Sequence, residues 1–388
     1  MPLWQPVAMG AWGLSAAAGP VLGPLIGSFA SQALGWRWSI WPLLMLSGAT
    51  LIVLIVLLPE TSSANILTRK AARLRKRTGN PHLRSPAEVA GSKTPPSELL
   101  RMVFLRPYTL MVTEPIILAI DVHIGLVYGI LYLWFEAFPI VFTETYGFNA
   151  GEQSLTFLAI FIASFATYGV FVLWVIKDFQ AAYRKLDGRV PPEKWWFMGM
   201  FGGVALPVCM FSFGWTSNGS IHWIAPTLCT MFFGIAVFTL FQSGLTYLTQ
   251  IYPAHIASVL SGNDFARAAL GGAMPLVGRA MFTNLQKGGP TAFPVAWGCT
   301  LMGCIALLMM PIPFLLYFKG STLRRMSKRA LQPDAGEEDA EKTNTPRDED
   351  RSDARAGGET PGFQTPPTEP SRRLSASSAS DVSSSHRL

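Results

Sequence analysis

Glu114-Pro-Ile-Ile-Leu-Ala-Ile-Asp-Val-His-Ile-Gly-Leu-Val-Tyr-Gly-Ile-Leu-Tyr-Leu-Trp-Phe-Glu-Ala-Phe-Pro-Ile-Val141 is apolar and long enough to cross a bilayer, whose core takes about 20 such residues as a helix. It nevertheless carries Glu114, Asp121 and Glu136. A charged side chain at the centre of a membrane helix costs roughly 2.5–3.5 kcal/mol even on insertion scales, so such groups face water or a partner. At 100° per residue, Glu114, Asp121, Gly125, Tyr128, Tyr132, Glu136 and Pro139 share one stripe of the helix. That acidic, tyrosine-lined stripe points to transport rather than anchoring.

The rest of the chain agrees. Of 388 residues, 50% are apolar and only 14% charged, against roughly 25% in a soluble domain. The predicted fold is an all-α integral membrane protein. Eight apolar segments are expected to span, near 6–30, 38–58, 114–141, 153–176, 195–214, 222–250, 257–283 and 293–318. The apolar runs are too long for an outer-membrane barrel. The net charge of +7 is distributed unevenly. Arg69, Lys70, Arg73, Arg75, Lys76, Arg77, Arg84, Lys93, Arg101 and Arg106 fill the loop before the quoted span. Lys177 to Lys194 and the segment after Lys319 are also basic, and the intervening loops are poor in charge. The positive-inside rule then places both termini in the cytoplasm and gives the basicity a topological role, so no nucleic-acid partner is expected.

Within the long loop, Asn65–Thr78 reads as a basic helix on the membrane surface. Gly79–Ser97 reads as a flexible linker. The tail beyond about Gly320 is poor in large apolar residues and is expected to be disordered. It contains Arg372-Arg373-Leu-Ser375, in which Ser375 suits a basophilic kinase. Cys209, Cys229, Cys299 and Cys304 sit in apolar runs with no metal-ligand spacing, and no nucleophile–base pair is visible. An enzyme, a metal site and a cofactor are therefore not expected.

Further polar groups suggest a path. Gln242 and Thr246 share a face. Asn263, Asp264 and Arg267 cluster near the cytoplasmic end of the seventh segment, where Asp264 and Arg267 can pair three residues apart and act as a gate. His123 and Trp134 point away from the acidic stripe, so Trp134 is expected to meet lipid. Asp121, Tyr128, Tyr132, Glu136 and Gln242 are the candidate substrate or proton pathway.

The first segment holds Gly19-Pro20-Val21-Leu22-Gly23-Pro24-Leu25-Ile26-Gly27, a smooth face where another helix can approach. This stretch resembles the antiporter motif in the fifth helix of major facilitator superfamily transporters. Leu34-Gly-Trp-Arg-Trp38, Leu58-Pro-Glu-Thr61, the run from Tyr128 to Pro139, Ser261-Gly-Asn-Asp-Phe-Ala-Arg267 and Pro311-Ile-Pro313 with Tyr317 resemble fungal drug:proton antiporters of that superfamily.

The resemblance implies a multi-pass protein of the plasma membrane, or of the vacuolar membrane, that exports drugs, toxins or polyamines in exchange for protons. It also implies that the eight spans correspond to the fifth to twelfth helices of a twelve-helix fold. Residues 1–60 would then be the last two helices of the N-terminal half and 61–107 the central loop. Residues 108–320 would be the C-terminal six-helix bundle and 321–388 the tail. On this reading the first four helices are missing, and transport by the chain alone is expected to be weak. The alternative expectation is a non-transporting membrane fragment with a regulatory or interaction role.

Overall fold

α1 (Trp4–Leu34) and α2 (Trp41–Leu57) are joined by a short turn at Gly35, whose φ of 90° a residue with a Cβ would adopt only under strain. α1 continues through Pro20 and Pro24, each of which removes a backbone donor from the ladder. The computed structural model describes residues 4–91, 95–185, 190–286, 293–327 and 329–330, which form helices and their connections within one compact unit. The tail from residue 331 onward, with Arg372, Arg373 and Ser375, lies outside the described residues, as do Lys93, Arg189 and Lys287.

The basic loop is more ordered than its composition suggests. α3 (Ser63–Thr78) begins at Ser62, whose hydroxyl accepts from the Asn65 amide, and ends at left-handed Gly79. α4 (Pro86–Gly91) begins with a reciprocal cap: the Glu88 amide donates to Ser85 Oγ (3.2 Å) and the Ser85 amide to the Glu88 carboxylate (2.9 Å). Arg75 of α3 then donates both arms of its guanidinium to Glu88, at 2.7 and 3.0 Å. That fork, with the Ser85 amide, holds the Glu88 carboxyl at about 2, well below its ordinary range. Residues 79–91 therefore fold back on α3 and are not a plain linker. The Ser-x-x-Glu cap at Ser85–Glu88 is the signal for it.

α5 (Pro96–Phe104) and α6 (Arg106–Thr113) lead into α7 (Pro115–Phe135), which is followed by a π-helical turn at Pro139–Thr145. Then come α8 (Ala150–Thr156), α9 (Leu158–Trp174), α10 (Gln180–Lys185), α11 (Trp196–Thr216) and α12 (Ile224–Ile251). α13 (Ile256–Ala273), α14 (Pro275–Asn284), α15 (Ala296–Met309) and α16 (Pro311–Met326) complete the described chain.

Among the described residues, seven helical stretches are long and apolar enough to span: Pro6–Leu34, Trp36–Leu57, Pro115–Thr145, Ala150–Lys185, Pro192–Thr216, Ile224–Ile251 and Ala296–Met326. The seventh expected span, 257–283, is the exception. Ser258, Ser261, Asn263, Asp264 and Arg267 dilute its apolar character, and Pro275 divides it into α13 and α14. The pair still follows α6 and α7 along their length, because Gly262 meets Pro107 of α6, Gly271 meets Tyr128 and Gly278 meets Glu136. These partners ascend together, so α13–α14 runs in the direction of α7. That is the direction required if α9, α11, α12 and α13–α14 alternate after it.

α7 is the hub. Ile117, Ile120, Ile124, Val127 and Trp134 are fully buried, and neighbours cover both its acidic face and its opposite face. Trp134 corrects the expectation of lipid contact. It is 0% exposed, with Phe138 and Phe213 4.9 Å away and Phe233 at 5.0 Å between ring centres. Neighbours thus cover the apolar back of α7 at Trp134 as well as its polar stripe, while Leu118 and Val122 near its start stay 42% and 45% exposed.

Candidate functional site

The site grows from the close approach of α7 and α13. Gly125 and Gly129 on α7 leave room for Leu270 and Met274. A Cβ on Gly125 would lie 2.9 Å from Leu270 Cδ1 and 3.4 Å from the Ala266 carbonyl. Gly271 returns the favour for Tyr128. Gly125-x-x-x-Gly129 is a small-residue pattern of the kind that lets membrane helices touch, and it was the readable signal for this contact.

At that seam Asp121, 1% exposed, accepts a hydrogen bond on Oδ1 from Asn263 Nδ2 at 2.8 Å. Asn263 is fully buried. Asp121 Oδ2 and Asn263 Oδ1 have no hydrogen-bond partner among the described residues. The structure thus joins two residues that the sequence placed in separate groups, one in a pathway and one in a gate. An ionised carboxylate held this way has one donor and no cation to offset its lost hydration.

One turn beyond Asn263, Arg267 pairs with Asp264, as their spacing predicts. The Arg267 guanidinium carbon lies 5.2 Å from the ring centres of both Tyr128 and Phe241, a cation–π arrangement. Tyr128 and Tyr132 hydroxyls are 3.2 Å apart. Together Tyr128, Phe241, Leu131 and Arg267 form one side of a cavity of 150 Å³, and Pro20 and Val21 of α1 close the other. The cavity is therefore aromatic, with one guanidinium in its wall. Asp121 lies two helical turns, about 10 Å, before Tyr128 on the same face of α7.

The other candidate residues lie elsewhere. Glu136 caps the C-terminal end of α7 and packs on Gly278, at the opposite end of that helix from Glu114. Gln242 is buried, and its amide donates to the Pro6 carbonyl and to Thr246 Oγ1, both at 3.1 Å, so it fastens α1 to α12. The glycines at which α1 meets the bundle are Gly10, against Tyr168 and Phe171, and Gly13, against Gln242. Among the described residues nothing lies within 4 Å of a Cβ built on Gly19 or Gly23, and Gly27 meets only Ser39. Pro24 lies between those last two glycines in α1. His123 is buried edge-on to Trp196 of α11, away from Asp121's seam.

Two clusters at the basic end of the bundle were not anticipated. Glu114, 3% exposed, accepts from the Tyr252 hydroxyl (3.3 Å) and from Ser327 Oγ, while Tyr252 and Ser327 hydroxyls are 2.7 Å apart. Glu193 and Arg324 form a buried ion pair at 3.2 Å. These contacts tie the starts of α7 and α11 to the ends of α12 and α16. Each joins residues far apart in the chain, so no local spacing announces it. Arg324 read as one more topology-setting charge.

Comparison with known proteins identifies the family. The family model described as "Major Facilitator Superfamily" matches residues 5–276. "Transporter mfs1" of Schizosaccharomyces pombe is 41% identical over 332 residues, covering 84% of this chain and 62% of that protein. "Multidrug transporter FLR2" of Candida glabrata is 40% identical over 334 residues, 86% of this chain and 55% of that protein. "Fluconazole resistance protein 1" of Saccharomyces cerevisiae is 39% identical over 326 residues, 84% of this chain and 58% of that protein. The chain thus spans less than two thirds of the length of each of these relatives. With apolar spanning helices, a buried polar seam between α7 and α13 and a family match over most of its length, the chain belongs to the Major Facilitator Superfamily.

Proposed function

We propose that this chain serves proton-coupled export of small organic molecules across the plasma membrane, with the Asp121–Asn263 seam as the proton station and the adjoining aromatic cavity as part of the substrate path. The observation that carries this reading is Asp121 itself: buried at the α7–α13 contact, held by one donor, and two turns from the cavity wall. Structural acids in the same protein have a cation or several donors, as Glu193 and Glu114 do. Asp121 has neither. A proton that comes and goes there would change the charge between two helices that touch through glycine, and so would bias their packing. Alternating access by rocking of helical bundles would use that change.

The cavity supports a substrate class. Arg267 in its wall disfavours polycations, and the faces of Tyr128 and Phe241 suit flat aromatic molecules. Flat, uncharged drug-like compounds fit better than polyamines. The relatives named for multidrug transport and fluconazole resistance agree with that class. Glu136, at the far end of α7, would meet substrate only on the outer side, and the Asp264–Arg267 pair would gate the inner one.

The test is efflux from drug-sensitive yeast expressing the chain, alone and joined behind the first four helices of a relative. Cells are loaded with the uncharged dye Nile red, with or without a protonophore. Protonophore-sensitive efflux that Asp121→Asn abolishes, while the variant reaches the membrane at normal level, is the expected result. Efflux indifferent to both the protonophore and Asp121→Asn would sink the proposal.

A further inference from the structure

A second cavity, of 850 Å³, lies away from the transport seam. It opens at the basic end of the bundle, beneath α5 and α6. Arg101, Arg106, His255 and Arg329 line it, and among the described residues Glu98 is the one acid in its wall. Arg106 reaches across to the His255 ring (2.8 Å), which bridges the start of α6 to the turn between α12 and α13. Three guanidiniums therefore face one space against one carboxylate. Such a concentration of like charge is repulsive unless an anion fills it.

The other side of α5 says what kind of anion. Glu98, Arg101, Met102 and Leu105 face the cavity at helical spacing. Leu100, Val103 and Phe104 lie on the opposite face and are exposed. A short helix with a basic cavity on one side and exposed apolar residues on the other sits at the interface between headgroups and acyl chains. A free phosphate would use only the first side. A lipid would use both, with its headgroup among the arginines and its chains along Val103 and Phe104.

We infer that this cavity binds the phosphorylated headgroup of an anionic lipid of the leaflet facing the basic end, and thereby ties the central loop to the C-terminal bundle. The inference rests on the reading that the basic end faces the cytoplasm, where the leaflet is anionic. Arg106 and His255 join the loop to α12–α13, and an anion shared by Arg101, Arg106 and Arg329 would bind α5, α6 and the end of α16 together.

The test uses the purified chain in neutral detergent, so it depends neither on orientation nor on transport. Binding is titrated with phosphatidylinositol 4-phosphate, with phosphatidylcholine, with soluble inositol 1,4-bisphosphate and with inorganic phosphate, by native mass spectrometry and thermal shift. The expected result is tight, stabilising binding of the phosphoinositide alone. Removing Arg101 and Arg329 as R101Q/R329Q should weaken it by about five-fold for each arginine. E98Q removes the opposing charge and should tighten it, a gain that a misfolded variant would not show. Equal binding of phosphatidylcholine, or affinity unchanged in both variants, would overturn the inference. Soluble bisphosphate or phosphate binding as tightly as the lipid would overturn the lipid assignment. Orientation is read independently, from protease access to a tag at Met1 in sealed cells.

Discussion

α7 and α2 are both apolar enough to span a membrane, yet the structure treats them in opposite ways. Of the most apolar window in Pro115–Thr145, 67% is buried among other helices, whereas in Trp36–Leu57 the figure is 0%. The difference lies in what interrupts the apolar run. α7 carries Asp121, His123, Gly125, Gly129, Tyr128 and Tyr132, which make specific contacts with α11, α12 and α13. α2 ends in an unbroken Leu51–Leu57 run of Leu, Ile and Val; its small residues are few, Thr50 bonds within its own helix, and among the described residues nothing lies within 4 Å of a Cβ built on Gly48. Hydropathy therefore places a helix in the membrane, and polar and small residues place it against its neighbours. Lipid tails are as apolar as leucine, so apolarity alone gives a membrane helix no preferred partner.

If that contrast is right, equivalent changes should have unequal effects in the two regions. Ion pairs give the largest difference. Arg324→Met would leave Glu193 buried without its cation and should destabilise the protein by about 3–5 kcal/mol. Arg69→Met, which removes the exposed 3.7 Å partner of Glu60, should cost about 1 kcal/mol or less. Thermal unfolding of the two variants in detergent compares them directly. Similar melting shifts would mean that burial does not set the value of these pairs.

Glycines give an intermediate effect. Gly125→Val must push Leu270 and the α13 backbone aside and should cost about 1–3 kcal/mol. Gly48→Val on α2 meets no atom of the described residues and should leave stability within about 0.5 kcal/mol. Monodisperse yield on size-exclusion chromatography reports both. A normal Gly125→Val protein would show that the α7–α13 contact is looser than drawn.

The smallest effect concerns the exposed α3–α4 hairpin. Arg75 depresses the Glu88 carboxyl from an ordinary 4.5 to about 2. A depressed carboxylate contributes stability that is present above its unfolded value and fades as pH falls through the folded one. The hairpin should therefore loosen between about pH 4.5 and pH 2, with the spanning helices unaffected. Glu88→Gln should remove this pH dependence. Hydrogen exchange of residues 63–91, corrected for intrinsic rates, is the measurement, and identical profiles for wild type and variant would refute the assignment.

Several of these features were legible along the chain. The acids of α7, the Asp264–Arg267 pair and the basic helix α3 each follow from spacing within one segment. Trp134 was misread because a helical stripe distinguishes polar from apolar faces, not buried from lipid-facing ones. In a hub helix both faces are covered. Gln242 has a hydrogen-bonding side chain that sequence assigns as readily to substrate as to a neighbour, and only the position of Pro6 shows that it holds α1. Gly125-x-x-x-Gly129 could have indicated the tight seam, but not which helix fills it.

The amino-acid sequence by itself determined that this is a helical membrane protein, where seven of its spans lie and which of them carry charge. Those properties depend on transfer of each segment from water to lipid, a sum over neighbouring residues. Only the tertiary structure decided that Asp121 meets Asn263, that Arg267 lies between Tyr128 and Phe241, and that three arginines from separate elements share one cavity. Those pairings depend on which helices touch, and the contacts join residues far apart in the chain through packing geometry that no single segment encodes.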